Sequence, residues 1–165
     1  MRHLTRLIVF VSCAAAVVAL QGCGAANIDV ATAIKASNIT TGWFDVGVVN
    51  GKNKLVPSAS FTITNSSPSK LGALQVFSVF RLAGESEELG SSLVVLRGKD
   101  ALAASATSKP ITVRANWGYS GEQPRGQMLM HSSFKDARIE IFAKYGAGSY
   151  VKIADVPVTR QLLTS

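Results

Sequence analysis

The chain has 165 residues, 47% of them hydrophobic and 16% charged, with a formal net charge of +7. Its basic residues are scattered, Lys52, Lys54, Lys70, Arg97, Lys99, Lys109, Arg114, Arg125, Lys135 and Arg138 among them. They lack the dense run interleaved with aromatics that marks a nucleic-acid binder, and beyond the first 22 residues Cys23 is the one cysteine and His131 the one histidine, too few for the usual zinc ligand sets.

Arg2 and Arg6 give the start of the chain a positive charge, and Leu7 to Leu20 is an apolar run interrupted by Ser12. The run suits a signal peptide better than a membrane span, which needs about 20 apolar residues. It closes on Leu20-Gln21-Gly22-Cys23, ahead of a Gly/Ala/Asn stretch. Leu at −3, Gly at −1 and Cys at +1 resemble the lipobox of bacterial lipoproteins. The resemblance implies that residues 1–22 are a lipoprotein signal peptide, that the Cys23 thiol is lipidated and that the new amino terminus is acylated. Residues 23–35 are then a lipidated anchor and leader. An ordinary cleaved signal or an anchor helix is the alternative. One acyl chain binds a bilayer with only about 10⁴ M⁻¹, and stable attachment needs two hydrophobic signals; the two or three chains of a lipobox cysteine supply them. Gly24, where inner-membrane retention would use Asp, implies the outer membrane facing the periplasm.

Without residues 1–22 there remain 143 residues, enough for one domain with a sizeable core. Cys13 leaves with the signal, so no internal disulfide is expected. The net charge falls to about +5, read either as a mildly positive solvated surface or as affinity for anionic lipid head groups near the anchor.

Over Ile28–Ile39 the apolar pattern is ambiguous, and a strand is expected over its later part, continuing through Trp43–Val49 with a break at Thr41-Gly42. Asn50-Gly51 predicts a tight turn. In Leu55–Asn65, Leu55, Pro57, Ala59, Phe61 and Ile63 share one face and small hydroxyl residues the other, the pattern of a sheet with one wet face. Pro57, having no N–H to donate, is expected near the strand's start or on an edge. After the turn Asn65–Ser69, Leu74–Ala83 is apolar on both faces, as in a central strand. The acidic turn Glu85–Glu88 lacks the spacing of a calcium loop and reads as solvated carboxylates.

Leu89–Arg97 predicts a further strand, Ala101–Lys109 a long connection plugged by Leu102, and Ile111–Ala115 another strand. Asn116–Ser133 is irregular, with a short helix over Pro124–His131, Pro at its first position and Met128 with Leu129 capping the core. Trp117, Tyr119 and Arg125 on this loop are the candidate partner-binding residues; the alternative is that Trp117 and Tyr119 pack over an open end of the fold. Lys135–Tyr145 alternates, with Ala137, Ile139, Ile141 and Ala143 on one face. Gly146–Ser149 turns, and Tyr150–Leu163 forms the last strand, bulged near Asp155-Val156-Pro157.

About seven strands and almost no helical periodicity predict an all-β, antiparallel sandwich over residues 36–165. In pattern, Leu55–Asn65 followed by Leu74–Ala83 resembles the B–C region of immunoglobulin-like or fibronectin-like bacterial domains, without their Cys-Trp-Cys signature; a small closed barrel is the alternative. Little chemistry is on offer. His131 is the one histidine after the signal, Ser132 and Ser133 sit beside it without a Gly-x-Ser-x-Gly elbow, and Glu122 with Asp136 is the remaining two-carboxylate option. No phosphate-binding glycine loop is present. The expectation is a non-enzymatic module without catalytic residues, metal or cofactor, lipid-anchored at Cys23 and binding another envelope protein. The alternatives are an accessory lipoprotein of an envelope transport system, handling lipid between its sheets, and a hydrolase of unfamiliar type.

Overall fold

The computed structural model describes residues 28–163; the signal segment, the lipobox and Cys23 lie outside them. The architecture is mostly β, nine strands in two sheets with two short helices, compatible with a β-sandwich. Helix α1 (Val30–Ala33) leads into β1 (Ile34–Val49), which turns back as β2 (Lys52–Asn65). Asn50 and Gly51 both have positive φ, 51° and 77°, as the two-residue hairpin predicted there requires. β3 (Leu71–Leu82) and β4 (Glu88–Leu102) form a second hairpin, followed by β5 (Ile111–Arg114), β6 (Tyr119–Gly121), α2 (Arg125–Met130), β7 (Ala137–Tyr145), β8 (Val151–Pro157) and β9 (Leu162–Leu163).

One sheet runs β5-β2-β1-β9, with β6 also on β2; the other runs β4-β3-β7-β8. All pairings are antiparallel except β1 with β9. Between them lies one core built from the alternating faces: Trp43, Leu55, Phe61 and Ile63 from the first sheet meet Leu74, Val76, Phe80, Ile139 and Ile141 from the second. Val30, Ala33 and Ile34 belong to it, so the packed body begins ahead of residue 36. Met128 and Leu129 are buried against it as expected.

Several boundaries differ from the sequence expectation, each for a local reason. Thr41 and Gly42 do not break β1; they pair with Ala59 and Ser58. Gly42 is small because Leu163 crosses it: a β-carbon there would meet Leu163 Cγ at 2.7 Å. The Thr41 hydroxyl donates to the Pro157 carbonyl and accepts from the Thr159 amide, both at 3.0 Å, tying the crossing segment to β1. The last expected strand is therefore two: β8 ends at Pro157, and the chain changes sheets to lie parallel to β1. The register shift of β8 falls opposite Ile141/Phe142, not at 155–157.

Pro57 sits inside β2, opposite Trp43. Its carbonyl accepts from the Ala115 amide at 2.9 Å. The absent N–H points the same way, into the gap where β5 has ended and β6 has not begun, so no ladder bond is lost. β4 runs on past Arg97: Ala73 pairs with Arg97 and Leu71 with Leu102, so Gly98–Ala101 bulges out and Leu102 still plugs the core. Pro124 caps α2 rather than opening it. The turn after β2 is held by Asn65, fully buried. Its Nδ2 donates to the carbonyls of Ser69 and Ala103, each at 2.8 Å, and its Oδ1 accepts from the Ser67 amide and hydroxyl at 3.0 and 2.7 Å.

Candidate functional site

The segment 115–136 carries the residues singled out from the sequence, and the structure gives each a different setting. Trp117 is 68% exposed. Its amide donates to the Leu89 carbonyl at 2.8 Å, and the next residue, Gly118, passes directly over β2. Backbone on both sides thus fixes where the indole emerges. Lys54 Nζ stands 5.9 Å from the Trp117 ring centroid and 3.4 Å from the Asn116 carbonyl oxygen.

Tyr119 faces inward. Its ring stacks on Phe134 at 4.3 Å between centroids and lies 5.6 Å from Trp43, which meets Phe134 edge-on at 4.6 Å. The Tyr119 hydroxyl accepts from the Lys135 amide at 2.6 Å. This is an aromatic plug with its one polar atom satisfied, the arrangement a half-buried tyrosine needs. Arg125 forms an ion pair with Asp45. The Arg125 guanidinium, and then the Gly47 amide at 2.8 Å, hold the Asp45 carboxyl below the usual carboxylate range against partial desolvation. Arg125 therefore pins α2 to the β1–β2 hairpin. Of the three candidates, Trp117 alone is presented to solvent as a large apolar surface.

Its neighbours on the outer face of the first sheet were not singled out from the sequence. The Arg114 guanidinium lies 3.4 Å from the Phe44 ring centroid. Phe44 pairs with Val56, and Arg114 with Ser58, two residues along the same strand. Lys54, Trp117, Phe44 and Arg114 thus form two cation–aromatic pairs hung on β2 and its neighbours, each contact worth about 0.5–1 kcal/mol at an exposed site. The signal was available: Trp43 and Phe44 are consecutive in a strand, so if one is core the other faces out.

The outer face of the second sheet carries a row of apolar side chains in register, Leu93, Phe77 and Phe142, with Tyr150 5.8 Å from Phe77. Beside it runs an alternating charge network. Arg81 meets Glu140 at 3.2 Å, Lys152 bridges Glu140 and Asp155 at 2.8 and 3.2 Å, and Arg138 holds Asp155. Lys152 chiefly lowers the Glu140 carboxyl, with Arg81 adding to it, and Arg138 then Lys152 lower Asp155; desolvation opposes both.

The residues weighed for catalysis are arranged as follows. His131 Nδ1 lies 2.7 Å from Ser133 Oγ and accepts the Ser133 amide at 3.3 Å, a local turn on exposed chain. Asp136 is engaged by Arg160 at 2.6 Å, whose guanidinium also donates to the carbonyls of Leu129 and Phe134. Of the acidic turn, Glu85 pairs with Lys135 at 2.6 Å and Glu88 with Arg81 at 3.8 Å. Among the described residues no group of three or more His, Cys, Asp or Glu is placed to hold a metal ion. None of their helices is long and apolar enough to cross a membrane.

No family model and no curated protein matches the sequence. Among solved structures the chain is similar to AT1g01470 from Arabidopsis thaliana, at 12% identity and a TM-score of 0.45, over 81% of this chain and 84% of that one. It is also similar to part of a Bacteroides uniformis β-glucuronidase, at 11% identity and a TM-score of 0.42, over 76% of this chain but 12% of the enzyme. A structure of β-glucuronidase 2 of that organism aligns at 12% identity and a TM-score of 0.39, over 70% of this chain and 11% of its own.

Proposed function

We propose that this chain is a lipid-anchored, non-enzymatic binding module of the bacterial envelope, attached through Cys23 at the outer membrane and presenting the Trp117 surface to another envelope protein. The observation that carries the binding role is the 68% exposure of Trp117, held by backbone contacts on both flanks beside Phe44, Arg114 and Lys54. Exposed tryptophan and arginine on a rigid scaffold are the residue types that dominate protein interfaces. The anchoring rests on the Leu20-Gln21-Gly22-Cys23 motif alone. We further take the sandwich to be of the immunoglobulin-like type. With β1, β2 and β5 as A, B and E, and β3, β4, β7 and β8 as C, C′, F and G, the strand order matches that plan with strand D absent.

The test uses the full lipidated chain as bait on detergent-solubilised envelope. A partner captured by the parent and lost with Trp117→Ala plus Arg114→Ala, at an unchanged thermal midpoint, supports the reading. A partner indifferent to both changes, or none, overturns the assigned surface. Mass spectrometry of the amino-terminal peptide decides the anchor, which Cys23→Ser should abolish.

A further inference from the structure

The charges on this domain are segregated along the strand axis. One end is made by α1, the Ser66–Lys70 turn, the Gly98–Ala101 bulge with the connection that follows, and the β7–β8 hairpin; Ile34 pairs with Asn65, Leu71 with Leu102, and Leu74 with Tyr145 there. That end carries Lys35, Lys70, Arg97, Lys99, Lys109 and Lys144 against two acids, Asp29 and Asp100. Asp29 caps α1, its Oδ1 accepting the Ala31 amide at 3.0 Å, and Asp100 lies 3.8 Å from Lys109. The other five cations have no carboxylate partner among the described residues. The rest of the described chain holds nine basic and eight acidic residues, nearly balanced. Six of those nine cations, Arg81, Arg125, Lys135, Arg138, Lys152 and Arg160, are in ion pairs.

The described chain enters at the basic end. Ile28 and Asp29 sit beside Ser66–Ser69, and Cys23 is five residues earlier, a reach of at most about 18 Å even fully extended. We infer that this basic end is a membrane-contacting face that lies on the anionic lipid head groups of the bilayer holding the anchor. The inference rests on the lipid-anchor reading and adds a second, electrostatic contact that orients the domain. Lys99 and Lys109, with Asp100 between them in the chain, line an open groove of about 440 Å³ formed by β4 and its connection to β5. Tyr150, exposed at the same end with Lys144 Nζ 5.6 Å from its ring centroid, is the residue type that settles at a bilayer interface. Attraction of lysines to an anionic surface acts within about 8 Å at physiological salt; the five-residue tether keeps this end within about 18 Å of the anchor, and the cations draw it the rest of the way. The Trp117 surface and the β1–β2 hairpin lie toward the other end, facing away from the lipid.

The experiment is lysine acetylation footprinting of the full lipidated chain reconstituted on phosphatidylcholine vesicles and on vesicles rich in phosphatidylglycerol. Lys70, Lys99 and Lys109 should label several-fold more slowly on the anionic vesicles, Lys52 and Lys54 at the same rate on both, and high salt should erase the difference. In the Lys70→Glu, Lys99→Glu, Lys109→Glu variant, Lys35 and Lys144 should return to their rates on neutral lipid. Even labelling on both vesicles, with the chain floating on each, overturns the membrane face and leaves the anchor standing. A chain that carries no lipid and floats with neither overturns the anchor and the face together.

Discussion

Gly118 lies so close to Leu55 that a β-carbon on it would fall 2.0 Å from the Leu55 carbonyl oxygen and 2.9 Å from Val56 Cα. Both neighbours are backbone, in the strand that pairs with β1, β5 and β6, so neither can give way cheaply. Gly118→Ala should destabilise the domain by about 3 kcal/mol, the upper range for overpacking, read as a lowered urea midpoint. It should also displace the neighbouring Trp117. A variant as stable as the parent would mean the chain does not cross β2 in this way.

Asn65 is the second position where a small change should have a large effect. It satisfies two carbonyls and two donors from a fully buried site, linking the turn after β2 to the start of the β4–β5 connection. Asn65→Ala leaves those groups without partners and should cost about 3 kcal/mol. Asn65→Asp should be worse at neutral pH, since a carboxylate cannot donate to Ser69 and Ala103, and should recover in part in acid as it becomes protonated. Urea titrations at two pH values test both.

The acid limb of stability should come from Glu140, Asp155 and Asp45. Each has a folded-state pKa below its unfolded value, because cations bond the charged form. The unfolded chain therefore binds protons first as pH falls. The contribution is complete above the unfolded values of about 4 and is lost as pH drops through the lower folded values. The urea midpoint should be flat from pH 7 to about pH 5 and then decline. Glu140→Gln, which weakens the contacts to Arg81 and Lys152, should flatten that decline and cost about 1 kcal/mol at neutral pH. An unchanged acid limb would show that the network is not coupled to folding.

Ser78, 1% exposed between the two sheets, has a hydroxyl without a partner among the described residues. Ser78→Ala removes a desolvated group that makes no bond, and should be neutral or stabilising by up to about 1 kcal/mol. A thermal midpoint lowered by several degrees would show that the hydroxyl has a partner.

The two tryptophans should report opposite environments, Trp43 fully buried and Trp117 68% exposed. The Trp43→Phe variant should emit at long wavelength and be quenched strongly by acrylamide; Trp117→Phe should emit at short wavelength and resist quenching. Trp43→Ala should cost about 3–5 kcal/mol, and Trp117→Ala less than about 0.5 kcal/mol.

Where one face is wet, the strands were legible in the sequence: in β7 and in β2 beyond Ala59 the alternation alone identifies the buried residues. The Asn-Gly turn was legible because few residue pairs tolerate two positive φ angles. What was hidden depends on contacts distant in sequence. A glycine at 42 looks like a break until Leu163 is seen across it, and Pro57 looks like an edge residue until the gap between β5 and β6 is known. At the candidate surface, the exposure of Trp117 and the inward turn of Tyr119 follow from Gly118 fitting over β2, which no local pattern encodes. The end-to-end charge separation was equally invisible, because its six cations come from β1, β4, β7 and the connections between strands.

The first strand, Ile34 to Val49, is clasped between β2 and the closing parallel segment at Leu162–Leu163. Tension drawn through the residues ahead of Ile28 would act along the axis of that strand, at right angles to its hydrogen bonds. Those bonds are then loaded side by side in shear instead of opening one after another like a zipper. The domain is built to resist dragging from its amino-terminal side.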